Sequence, residues 1–146
     1  MKTFLYAFRG IGATIRGERN MRIHLTVSFY VILGGLITGI SQLQWLAVLL
    51  CIAVVTALEC MNTALERLCD EVHPGRSEGI RLAKDAAAGG VLSAAIISAL
   101  VGGLIFFSKQ SVTAALNFAK ENKLLSAVLI LSLIPAVFLI RGKKRT

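Results

Sequence analysis

Four long apolar runs decide what this chain can become. They span Leu25–Ile40, Leu43–Leu58, Ala86–Phe107 and Leu124–Ile140. A helix needs about 20 apolar residues to cross the hydrocarbon core of a bilayer. The third run meets that length, and the others reach it with their weakly polar flanks. A soluble bundle would need amphipathic faces, which these runs lack. With 55% hydrophobic residues and a mean hydropathy of +0.73, the chain reads as an all-α, polytopic transmembrane bundle.

Ahead of the first span, Phe4, Leu5, Phe8, Ile11 and Ile15 recur at helical spacing, with Arg9, Arg16 and Arg19 between them. This pattern predicts an amphipathic helix lying on the membrane surface, where basic groups meet anionic headgroups; the alternative is a disordered basic tail. Arg9 interrupts the only N-terminal apolar patch and no small-residue cleavage site follows, so the segment does not read as a cleavable signal.

The basic residues set an orientation. Placed between four successive spans, thirteen of the sixteen Lys and Arg fall on one side and three on the other. The positive-inside rule then puts both termini and the 66–85 loop in the cytoplasm. Topology and anionic lipid account for the net charge of +8. No basic groove interleaved with aromatics is visible, so nucleic acid is not an expected partner. Cys51, Cys60 and Cys69 lie nine apart, too far for a C-x-x-C pair, and read as reduced packing residues. His24 and His73 are solitary in sequence and read as structural or exposed.

The acids are not scattered. Six of the eight lie between positions 59 and 85. Continued as a helix beyond Leu58, the second span places Glu59, Asn62, Glu66 and Asp70 in a stripe about 80° wide, rising about 16 Å, with Glu71 off it. A carboxylate at mid-membrane costs around 3 kcal/mol on insertion scales, so this stripe must face other helices, water or cations. A helix simply emerging into the cytoplasm explains Glu66 and Asp70, but Glu59 and Asn62 come too early for that.

Spaced carboxylates suit Mg²⁺, which takes few protein oxygens and fills its sphere with water and phosphates. A desolvated carboxylate can also serve as a general base. The third span is expected to open with AKDAAAGG, which offers Lys84 beside a helix N-terminus for phosphate and small residues for close helix approach. Metal ligands, a base and a phosphate-binding lysine at a membrane surface are the components of phosphoryl transfer. No G-x-x-x-x-G-K-[ST] loop competes, and GIGATIRG at 10–17 fails the G-x-G-x-x-G spacing.

ECMNTALERLCD at 59–70, followed by AKDAAAGGV from 83, resembles the signature of the prokaryotic integral-membrane diacylglycerol kinase family, which includes undecaprenol kinases. Every fixed position of E-x-x-N-[ST]-A-[IL]-E-x-x-x-D and A-K-D-x-x-[AS]-[AG] is met. The likeness covers about residues 4–107, including Tyr6 and the G-E-R-N-x-R-I-H segment at 17–24.

The resemblance implies ATP-dependent phosphorylation of a membrane lipid hydroxyl by a homotrimer with composite sites between subunits, in a prokaryotic cell membrane. It implies Glu59 as general base and Asn62 as the group orienting phosphate or base. Glu66 and Glu18 become metal ligands, with Asp70 supporting the polar network. Tyr6, Glu18, Glu66, Lys84 and Asp85 would contact the nucleotide. Gly75, Arg76 and Ser77 would cap it, or form a plain turn. Undecaprenol is the expected acceptor, from the E-R-N-x-R-I-H segment, with diacylglycerol the alternative. Two other classes compete. An ion or proton carrier would spread its acids through several spans, and a structural subunit would not need Glu59 and Asn62 on one stripe.

The chain departs from the family in one respect. Residues 1–107 form the expected kinase core. Residues 108–146 add a polar connector, a fourth span and a basic tail.

Overall fold

The computed structural model describes residues 2–73, 75 and 77–141. Six helices follow one another: α1 (Lys2–Gly17), α2 (Arg19–Thr38), α3 (Gln42–Val72), α4 (Glu78–Phe106), α5 (Lys109–Glu121) and α6 (Lys123–Arg141). Helices α2, α3 and α4 are each long and apolar enough to cross a membrane. The chain is therefore an all-α membrane bundle, as its apolar runs predict.

The surface helix and the first span meet at a single extended residue, Glu18, with φ −101° and ψ 124°. The elbow is held from the far side. Arg22 reaches back and donates to the carbonyls of Ile15 at 3.3 Å and Arg16 at 3.2 Å, placing a cation on the unpaired C-terminal end of α1. On α1 itself, Phe4, Leu5, Phe8 and Ile11 stand exposed. An apolar stripe without a protein partner suits a helix lying in the headgroup layer.

The turn between α2 and α3 is tight and fully capped. Gly39 adopts the left-handed conformation, φ 63° and ψ 46°, that ends α2. Ser41 and Gln44 then form a reciprocal capping box at the start of α3. Trp45 lies against Gly35, where a Cβ would stand 2.8 Å from the indole ring. Glycine is needed there for the two helices to approach. Around this turn sits the apolar core: Ile40, Val48 and Ile105, with Val31, Trp45, Ile52, Val101 and Phe106 packed on them.

One expectation from sequence is corrected. The third span does not open at Ala83–Lys84; Ser77 is the N-cap and α4 begins at Glu78. Hydropathy marks where a helix enters the hydrocarbon, not where it begins, so the polar first turns went unread. Lys84 and Asp85 accordingly sit inside the helix rather than at its N-terminal donors. The connector 108–123 is likewise helical. Ser108 caps α5, and Ser111 donates to the carbonyl of Ile105 at 2.9 Å, tying α5 back to α4.

Helices α5 and α6 are long and apolar enough to cross a membrane only as one bent unit, with 110° between its halves. Helix α6 packs against α2 and α5. The Tyr30 and Ser132 hydroxyls are hydrogen-bonded at 2.9 Å. The basic tail expected at 142–146 lies outside the described residues.

Candidate active site

On α3 the buried positions run Val48, Val55, Glu59, Asn62 and Thr63. One face of the helix is thus apolar near the capped turn and polar toward its far end. Glu59 is 2% exposed and Asn62 9%, although the chain's apolar content leaves many leucines open to lipid. The antiparallel turn explains what Glu59 meets. It returns α3 to the level where α2 begins, so the polar residue preceding the first apolar run faces the one following the second. His24 Nε2 lies 3.3 Å from Glu59 Oε1.

That pairing was missed from sequence, because His24 is solitary until the turn brings it back to α3. The available signal was positional: each residue borders an apolar run, and ionisable groups at membrane depth pair with one another. The contact is one of charge and proximity. Glu59 Oε1 has no aligned hydrogen-bond partner, and neither does Asn62 Oδ1, although both atoms are buried. Leaving such acceptors unpaired costs about 1–3 kcal/mol each, and orphaned polar atoms of this kind characterise sites that a ligand completes.

The stripe continues outward. Asn62 donates through Nδ2 to Glu66 Oε1 at 3.0 Å. Glu18, at the α1–α2 elbow, and Glu66 are both close enough to act electrostatically on Glu59. The side chain of Arg67 crosses to the same elbow, where its guanidinium would meet a Cβ built on Gly17 at 2.9 Å. About two turns of α3 and the bend beside them therefore bring three carboxylates, an amide and an imidazole into one neighbourhood.

Beyond Glu66 the stripe meets α4. Lys84 Nζ lies 2.7 Å from Asp70 Oδ1, and Arg81 lies 3.8 Å from Glu78 and 4.0 Å from Asp85. An open cavity of about 570 Å³ sits at this α3–α4 turn, lined by Asp70, His73, Gly75, Ser77, Arg81, Lys84 and Asp85 among others. Basic groups and a turn backbone are ordinary phosphate partners, and the volume falls within the roughly 300–1,000 Å³ of small-molecule sites.

The structure thus brings together Asp70, Gly75, Ser77, Lys84 and Asp85 at the cavity, and Glu18, Glu59, Asn62 and Glu66 along the adjoining stripe. It does not bring Tyr6 to either group: Tyr6 is 61% exposed, three turns up α1 from the elbow. Arg76 lies outside the described residues. Among the described residues no three His, Cys, Asp or Glu are gathered as a self-sufficient metal site.

The family model described as prokaryotic diacylglycerol kinase matches residues 5–106. The chain is similar to the undecaprenol kinase of Bacillus subtilis (strain 168), with 38% identity over 108 residues, 74% of this chain and 88% of that protein. It is also similar to the diacylglycerol kinase of Synechocystis sp., with 36% identity over 104 residues, 70% of this chain and 59% of that protein. No solved structure matches.

Proposed function

This chain belongs to the prokaryotic diacylglycerol kinase family and is a membrane lipid kinase that draws on ATP, and on that footing we propose that its acceptor is undecaprenol. Two observations support the choice of lipid: the similarity to an undecaprenol kinase over 88% of that protein, and the G-E-R-N-x-R-I-H segment at 17–24. Diacylglycerol is the second reading, favoured by the similarity to a diacylglycerol kinase.

One observation carries the proposed mechanism: Glu59 is sealed from solvent beside His24, while the same stripe leads outward to Lys84 and an open cavity. In our reading the nucleotide enters that cavity. Lys84 exchanges Asp70 for phosphate, and the turn at Gly75 and Ser77, with Arg76, closes over the nucleotide beside Asp85. Tyr6 reaches the nucleotide of a neighbouring subunit in a homotrimer. Glu66 and Glu18 would hold Mg²⁺, which would supply charge neutralisation for the phosphates.

Glu59 takes the proton of the lipid hydroxyl as its oxygen bonds to the γ-phosphorus. The bond from that phosphorus to the bridging oxygen of ADP breaks, and ADP leaves with the electron pair. Asn62, one turn from Glu59 and bonded to Glu66, orients the phosphoryl group toward the base. Alignment and charge neutralisation supply most of the catalysis in phosphoryl transfer, and a fixed stripe of side chains provides both.

The test is transfer of labelled γ-phosphate from ATP by purified protein, with undecaprenol and diacylglycerol assayed side by side. Turnover confined to diacylglycerol would reject undecaprenol as acceptor. Glu59→Gln abolishes turnover and preserves nucleotide binding; near-normal turnover in that variant would remove Glu59 from the role of base.

A further inference from the structure

Helix α5 lies beyond the residues that the family model matches, and its side chains fall into three sectors. Set out at about 100° per residue, Ser111, Ala114 and Phe118 occupy one arc about 60° wide. These are the residues of α5 that are not exposed. Ser111 is buried where it donates to the carbonyl of Ile105, and Ala114 and Phe118 are half-buried. Val112, Ala115, Leu116 and Ala119 occupy a second arc about 100° wide, and all four are exposed. Lys109, Gln110, Thr113, Asn117, Lys120 and Glu121 fill the remaining arc, about 120° wide, with no apolar residue among them. A helix packed on a protein in water has two faces, an apolar one toward the core and a polar one toward solvent. Three faces mean three surroundings: protein, an apolar medium, and water.

The place of α5 in the bundle identifies the apolar medium. Phe106, at the end of α4, packs on the core beside the capped α2–α3 turn, and the Ser111–Ile105 hydrogen bond holds the start of α5 at that level. From there the chain bends by 110° into α6, whose stretch from Leu124 to Ile140 carries no charge. That bend is close to a right angle, so α6 running along the membrane normal lays α5 nearly in the membrane plane.

We infer that α5 is an interfacial helix, resting on the leaflet opposite the cavity proposed for the nucleotide and binding anionic phospholipid there. Val112 and Leu116 enter the acyl layer while Thr113 and Asn117 face water, the arrangement of a helix lying flat at a bilayer surface. Lys109 and Lys120 stand at the edge of the polar arc that borders Leu116, the depth at which a flat helix meets lipid phosphates. They lie about 16 Å apart along one line of the helix, so each reaches its own headgroup. Glu121, the one acid of α5, sits at the other edge of the polar arc, away from the lipid.

The test uses the full chain with Cys51, Cys60 and Cys69 replaced by alanine, in phosphatidylcholine vesicles containing phosphatidylglycerol. Val112→Cys, Thr113→Cys, Leu116→Cys and Asn117→Cys are each labelled with bimane. Emission is quenched either by phosphatidylcholine spin-labelled high on its acyl chain or by aqueous iodide. The lipid quencher acts about threefold or more strongly at 112 and 116 than at 113 and 117, and iodide shows the reverse. Equal iodide quenching at all four positions would put α5 in water. Equal lipid quenching at all four would sink it into the hydrocarbon as half of one broken span. Protection of 112 and 116 from both quenchers would cover that face with a second copy of the chain. Each of these three results overturns the proposal. Either adjacent pair, 112 and 113 or 116 and 117, decides the depth by itself, so a single variant that fails to insert does not spare it.

The lipid class is tested at Leu116→Cys with spin-labelled phosphatidylglycerol against spin-labelled phosphatidylcholine. The anionic lipid quenches about two- to fivefold more strongly, and Lys109→Gln with Lys120→Gln removes that advantage. Equal quenching by the two lipids, or an advantage that survives the loss of both lysines, refutes the anionic site.

Discussion

At the scale of single residues, the proposed reaction centre is a buried carboxylate that lies against an imidazole on another helix. His24 lies 3.3 Å from Glu59, and the two unpaired acceptors nearby, on Glu59 and Asn62, leave the group dependent on what surrounds it. His24→Ala is therefore expected to lower kcat by about tenfold or more, a part of the 10²–10⁴ that a positioned base supplies. The KM for ATP stays constant, and His24→Asn restores part of the rate. A rise in the ATP KM with kcat intact would instead tie His24 to the nucleotide. The stripe of Glu59, Asn62, Glu66 and Asp70 was legible in the sequence, since helical spacing alone puts these residues on one face. The partner of Glu59 was not, because spacing within one helix carries no information about what a neighbouring helix places opposite.

At the scale of helices, the apolar runs located the three spans, and the break between Ile40 and Leu43 marked the turn between the first two. What they hid were the polar ends. The first turns of α4, from Glu78, and all of α5 are helical without being hydrophobic, and a reading by hydropathy treats both as loop. The consequence falls on Lys84, which reaches Asp70 from within a helix instead of standing at a helix start. The C-terminal pair also shows where chemistry stops. Helix α6 touches α2 through apolar side chains and the Tyr30–Ser132 hydrogen bond, and none of the candidate site residues lies beyond Asp85. Interhelical hydrogen bonds in membranes are worth only about 0.6–2 kcal/mol. Truncation after Phe107 is accordingly expected to leave measurable kinase activity in membranes; complete loss in a properly inserted protein would show that α5 and α6 hold the site together.

At the scale of the molecule, the basic residues and the two cavities point the same way. The cavity proposed for the nucleotide opens beside the Lys- and Arg-bearing turn between α3 and α4, and a separate apolar cleft between α2, α3 and α4 lies between the level of His24 and the capped α2–α3 turn, which carries no Lys or Arg. The orientation expected from the positive-inside rule puts that capped turn outside the cell. With the three native cysteines replaced by alanine, Gln42→Cys in intact cells is expected to react with a membrane-impermeant maleimide, whereas Thr146→Cys reacts only after lysis. The reverse pattern would invert the molecule and strand the cavity on the side without ATP. The sixth helix leans on α2 and on its own hairpin partner, and the sharp bend ahead of it leaves little to brace it from the third span. On warming, the outermost rod is thus the first piece to let go, and the molecule melts from its rim inward, in two stages rather than one.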